Sequence, residues 1–232
     1  MSVNGEKIGG EKRGIGGSDA GAVCGLNPYV SAMDVYYDKR SGTVDSEERD
    51  NESMRLGRDL EDYVAKRFCE DTGFKVIRSH KLYQHEEYPF MQSIENALLI
   101  VDRLLVGHGE DGIIGLECKT ASPFSMDKWK EGNIPAHYLA QCHHYMAVLG
   151  AKAWYIAVII YGREFKWIRI ERDEDIIRDL VRIEKDFREG MSWQGRSLSR
   201  TGARRQGTSS TVTLRTVRKQ LPYFWKLTRR KS

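Results

Sequence analysis

Ile113-Ile114-Gly115-Leu116-Glu117-Cys118-Lys119 is the stretch on which the reading of this chain turns. Its apolar, β-branched start predicts a strand, and successive side chains on a strand point to opposite faces. Glu117 and Lys119 therefore share one face, and Leu116 and Cys118 share the other. A carboxylate and an ammonium project side by side. Asp102 lies upstream. If it ends a neighbouring strand, its carboxylate meets Glu117, and the pair makes a pocket of hard oxygen donors suited to Mg²⁺ or Mn²⁺ rather than zinc. An acid and a lysine two residues apart are also what an ordinary solvated pair looks like.

The flanking sequence supplies the architecture. Between Met54 and Asp71, the residues Leu56, Leu60, Val64 and Phe68 recur every four positions. They predict an amphipathic helix that stops at Gly73, with Glu61 at the edge of its apolar stripe. Strand-forming stretches follow at Phe74 to Tyr83, roughly Phe90 to Val106, and Gly112 to Lys119, and the turn Gly107 to Asp111 joins the last two as a hairpin. Pro135 opens a helix to about Leu149 with Tyr138, Cys142, Tyr145 and Leu149 on one face. Trp154 to Tyr161 reads as a buried strand, and Phe165 to Ile170 as its antiparallel partner across Gly162. A helix from Glu174 to Arg188 closes the body. The fold class is therefore α/β or α+β, a layer of strands and helices in which strand ends can carry a site.

Before this core, Arg13 to Tyr29 reads as a glycine-rich turn, a short helix capped by Ser18 and a stop at Asn27-Pro28; a second helix runs from Ala32 to Lys39. Amides at the start of the first helix can also hold a phosphate, so Ser18 reads equally as a cap and as a phosphate ligand. Gln141 and Tyr145 stand one helical turn apart, which fits a packing pair as well as a site pair.

The 232 residues suit one domain with a substantial core. No apolar stretch is long enough to cross a bilayer, and Met1 to Gly17 lacks the apolar centre of a secretory signal, so the expected location is the cytoplasm. Four scattered cysteines with no C-x-x-C spacing argue against a disulfide framework or a closed zinc site. Cys142-His143-His144 sits inside a predicted helix, where adjacent side chains diverge and cannot share one metal. Charge is divided along the chain: residues 1–189 carry 26 basic and 33 acidic side chains, whereas 191–232 carry 11 basic and none acidic. A body of residues 1–189 and a basic tail of 190–232 are expected, the tail being too polar and patternless to pack a core alone. It reads either as an arm that holds DNA phosphates or as the product of a shifted reading frame.

Five separated pieces then agree. Gly14 to Tyr29, the Leu-Gly-x-x-x-Glu helix from Leu56 to Glu61, Asp102-Arg103, Glu117-Cys-Lys-Thr120, and Gln141-x-x-x-Tyr145 resemble, in order, the YqaJ-type phage recombinase nucleases. These are relatives of lambda exonuclease in the PD-(D/E)xK superfamily, and Val101 stands here where that signature has its proline. The resemblance covers roughly residues 8 to 189. It implies a restriction-endonuclease-like core, a mixed central sheet flanked by helices. It implies Asp102 and Glu117 as metal ligands with the Cys118 backbone carbonyl, and Glu61 reaching the metal directly or through water. Lys119 would orient the attacking water and offset negative charge, Gln141 and Tyr145 would support the site, and Arg13 with Ser18 would grip DNA phosphate. The implied activity is a Mg²⁺-dependent exonuclease, with Mn²⁺ as substitute, acting 5′-to-3′ on linear duplex DNA. The implied partners are DNA, a phage-type single-strand annealing protein and further copies of the chain in a ring trimer. A structure-specific or single-strand nuclease of the same superfamily, or an inactive DNA-binding accessory protein, are the alternatives.

Overall fold

The computed structural model describes residues 14–41, 51–78, 83, 85–91, 103–106 and 112–197, without the side chains of 40–41 and 191–197. Among these, α1 (Gly17–Val23), α2 (Ala32–Ser41) and α3 (Glu52–Thr72) precede β1 (Lys75–Arg78), β2 (Arg103–Val106) and β3 (Ile114–Ala121). A 3₁₀ segment (Pro123–Gly132), α4 (Ala136–Leu149), β4 (Ala153–Ile160), β5 (Glu164–Glu171) and α5 (Glu174–Ser197) complete the order.

The strands form a mixed five-stranded sheet in sequence order. β2 pairs antiparallel with β3, as a hairpin requires, and β4 with β5 likewise; β3 and β4 are parallel, Ile114 to Ala121 lying against Ala153 to Ile160. A parallel pair needs a crossover, and the 3₁₀ segment with α4 supplies it. β4 lies between β3 and β5 and is covered on both faces, which explains its near-continuous apolar run.

Each face of the sheet has its own helical layer. Leu116, Cys118, Tyr155 and Ala157 pack with Val64, Ala65 and Phe68 of α3. Trp154, Ile156 and Val158 on the opposite face pack with Cys142, Tyr145 and Met146 of α4. α1 and α5 add a third cluster around Ile15, Val23, Ile176 and Leu180.

α3 begins where the Asn51 side chain accepts the Met54 N–H at 3.0 Å, and it ends at Gly73 in the left-handed conformation. Only the C-terminal half of its apolar stripe is buried, since Leu56 is 40% exposed. The predicted Ser18 cap is corrected. Gly16 is the N-cap of α1, and its N–H donates to the Asp19 carboxylate at 2.9 Å, which puts Ser18 inside the first turn and exposed. Pro123–Gly132 was not anticipated as an element. α5 runs through residue 190 to Ser197, so helix continues past the expected end of the body. Asp102, Arg13, the whole predicted hairpin turn Gly107 to Asp111 and residues 198–232 lie outside the described residues.

Candidate active site

On β3 the alternation works as the sequence predicts. Glu117 and Lys119 lie on the α4 side of the sheet while Leu116 and Cys118 face α3. The Lys119 ammonium is 2.5 Å from Glu117 Oε1. Gln141 of α4 donates from Nε2 to the same Oε1 at 2.9 Å and to the Tyr145 hydroxyl at 3.0 Å. A carboxylate can only accept, so it fixes which end of the Gln141 amide faces it. Both contacts fall on Oε1 and leave Oε2 as the oxygen through which Glu117 can meet a cation.

Close packing holds the tyrosine behind this cluster. Gly115 lies flat beneath the Trp154 indole, which a methyl at that position would penetrate, and Trp154 packs on Tyr145 with ring centroids 5.3 Å apart. Gly17 of α1 lies tightly against the Tyr145 ring itself. Two glycines far apart in sequence thus trap the ring whose hydroxyl orients Gln141.

Electrostatics favour the charged form of Lys119. Burial is the largest single influence and would lower its pKa, but the Glu117 carboxylate, by charge and hydrogen bond, together with Tyr138 and Cys142 outweighs it and holds the ammonium above the ordinary lysine value. Its side chain is 20% exposed, and the ammonium stands 4.8 Å from the centroid of the Tyr138 ring, a cation–π contact. Trp129 of the 3₁₀ segment stacks on the same ring at 5.8 Å. His137, next to it, is lowered to about 4 by burial and by the Lys119 and Lys128 charges.

The structure thus gathers Glu117, Lys119, Gln141 and Tyr145, with the Cys118 backbone on the strand between the first two. Glu61 stands on α3, in the layer over the other face of β3; one turn earlier, Gly57 faces Thr120 at the end of that strand. Ser18 is exposed on α1, which packs against α4. The donors in place are oxygens, the Cys118 thiol being buried against α3, and such a set fits Mg²⁺ or Mn²⁺. Among the described residues no group of three or more His, Cys, Asp or Glu side chains is placed to hold a metal. Two of the three histidines of α4 are engaged elsewhere, His143 Nδ1 with Leu139 O and His144 Nδ1 with Glu184, each at 2.9 Å.

Two contributions escaped the sequence reading. Asp62 accepts from Arg78 at 2.8 Å and from Arg103 at 2.9 Å, which ties α3 to β1 and to the start of β2. Arg78 and Arg103 are direct cross-strand partners, so the acid between them relieves a like-charge pair. Asp19, besides capping α1, pairs with buried Lys39 of α2 at 2.8 Å. Its position in the Gly-Gly-Ser-Asp run was the available signal.

A mixed sheet with the acid-x-lysine strand at its centre defines an alkaline-exonuclease fold. The alkaline exonuclease LHK-Exo from Laribacter hongkongensis superposes with a TM-score of 0.63 at 18% identity, covering 81% of this chain and 92% of that one. A phage-related exonuclease from Haemophilus somnus 129PT gives 0.52 at 14% identity, with 79% and 95% covered. Residues 10–152 match the YqaJ-like viral recombinase domain, and the chain belongs to that family. It is 39% identical over 178 residues to the uncharacterized protein YqaJ of Bacillus subtilis strain 168, covering 76% of this chain. The chain spans 52% of the length of that relative.

Proposed function

We propose that this chain is a metal-dependent deoxyribonuclease, an exonuclease that hydrolyses linear double-stranded DNA 5′-to-3′ and leaves single strands for a phage-type annealing protein. The observation that carries the reading is the Glu117 carboxylate, oriented through one oxygen by Lys119 and Gln141 on the central strand of an exonuclease fold. Asp102, Glu117 and the Cys118 carbonyl would hold the ion, Mg²⁺ or Mn²⁺; Glu61, on α3 over the other face of β3, is included, directly or through water, on the family resemblance alone. Asp102 is included on the family resemblance, in which Asp102-Arg103 is one of the matching pieces.

A phosphodiester is an anion that repels hydroxide, and a bound Mg²⁺ supplies charge neutralisation and an activated water. The chain's own groups do the rest. Lys119, cationic at neutral pH, positions the water and offsets charge developing on the phosphate; it is not the base. Gln141 and Tyr145 keep Glu117 aimed, and Arg13 with Ser18 grips phosphate. LHK-Exo has also been solved with dAMP, and a deoxynucleoside monophosphate is the product class released by stepwise hydrolysis of DNA. A ring trimer of such chains, threaded by DNA, is the assembly proposed.

Digestion of end-labelled linear duplex, closed circles and single strands with Mg²⁺, Mn²⁺ or EDTA tests this reading. It expects metal-dependent loss of the linear duplex alone. Cutting of closed circles contradicts an exonuclease, and DNA binding without cleavage under any metal contradicts an enzyme.

A further inference from the structure

We propose that Tyr29 is a stacking platform for DNA, its ring taking the base of the nucleotide whose phosphate lies at Glu117 and Lys119. The proposal rests on the nuclease reading above. Tyr29 is 79% exposed, yet its turn is built rather than loose. Asn27 Oδ1 accepts the N–H of Tyr29 at 2.9 Å and of Val30 at 3.3 Å, and the N–H groups of Leu26 and Asn27 both donate to Gly21 O, at 2.8 and 3.0 Å.

Gly21 in turn is pressed onto α4. A Cβ added there would stand 2.7 Å from the His137 Cβ, so the turn hangs from the helix start at the residue before Tyr138. Tyr138 is the ring that the Lys119 ammonium faces, and Lys119 is the partner of Glu117. Burial raises the Tyr138 pKa against the pull of the Lys119 charge, and the Tyr29 phenol is near enough to add to that rise, after the Glu117 carboxylate. The turn that carries this exposed ring is therefore anchored on the helix start beside Tyr138, the residue that the Lys119 ammonium faces.

An exposed ring held in one place contributes contact area with little ordering cost, and every base has a π-face to meet it. Met33 and Tyr37 continue an exposed apolar strip along α2, but Asp34 and Asp38 share that helix and would repel a phosphate backbone. The base contact is therefore assigned to Tyr29 alone.

Steady-state cleavage by the full chain with Mg²⁺ is measured on a linear duplex and on the same duplex with abasic sites at the first positions of the cleaved strand. Tyr29→Ala is expected to raise KM about tenfold or more on the normal duplex, while Tyr29→Phe stays normal. On the abasic duplex the unaltered chain should already show the raised KM, and Tyr29→Ala should add nothing. Equal KM for Tyr29→Ala and the unaltered chain on the normal duplex overturns the platform alone, as does an equal rise on both duplexes. No cleavage by the unaltered chain removes the nuclease reading and the platform with it. Tyr29 is exposed, so matched melting temperatures will show that the variants fold.

Discussion

Gln141 donates to Glu117 Oε1 across 2.9 Å, from a helix that follows β3 in the chain to the strand face it covers. The bond fixes the rotation of the carboxylate, so that among the described contacts Oε1 is the oxygen engaged. Outer partners of this kind typically change metal affinity or activity by about 10- to 100-fold when removed. Gln141→Ala should lose activity in that range and cost about 1 kcal/mol of stability from the buried bonds it leaves unmade. Cleavage rate against Mg²⁺ concentration, with a denaturation curve, checks both.

Gly115 and Trp154 make a purely steric prediction. Gly115→Ala drives a methyl into the indole, and overpacking of this kind costs roughly 1–3 kcal/mol. A second change, Trp154→Leu, should restore part of the loss by opening room. Urea midpoints of the single and double variants measure it, and additive losses would mean that the two residues do not clash.

His144 and Glu184 tie α4 to α5 where neither side chain is exposed to solvent. Burial raises the Glu184 pKa, and the neighbouring His144 works against that rise. Glu184→Ala removes the carboxylate that the buried imidazole meets and should cost roughly 3 kcal/mol, whereas Glu184→Gln keeps a hydrogen-bond acceptor and should cost less. Thermal melts order the two.

His137 sets a pH dependence. Its folded pKa is about 4 against an ordinary 6.5, so the unfolded chain takes the proton first. Nothing is lost above pH about 6.5; stability declines as pH falls from there to about 4, and this group adds no further loss below. The side chain is partly exposed, which limits the effect to about 1 kcal/mol between pH 7 and 5. His137→Gln should flatten the profile in that window, as read from urea midpoints at several pH values.

What was legible in the sequence follows from how local its causes are. The alternation at Leu116 to Lys119 placed Glu117 beside Lys119 because the period of a strand depends on the strand alone. Helix α3 and the β4–β5 hairpin were legible for the same reason, from four-residue spacing and from Gly162. Gln141 and Tyr145 were visible as an i,i+4 pair, but their direction toward Glu117 depends on a parallel crossover that no local pattern encodes. The contact of Gly115 with Trp154 depends on the β3–β4 register and was not visible at all. Ser18 and Asp19 both satisfy helix-start chemistry, and the carboxylate, spaced to reach back to the Gly16 N–H, takes it. Pro123–Gly132 escaped because it has no regular apolar period and buries Trp129 alone.

The central claim is that Glu117 and Lys119 do the chemistry. Single-turnover cleavage of end-labelled linear duplex by Glu117→Gln and Lys119→Met, beside the unaltered chain and with circular dichroism to show that each is folded, tests it most directly. The account predicts folded variants with rates down by about 100- to 1,000-fold or more at saturating Mg²⁺. Folded variants that cut at the unaltered rate would contradict it.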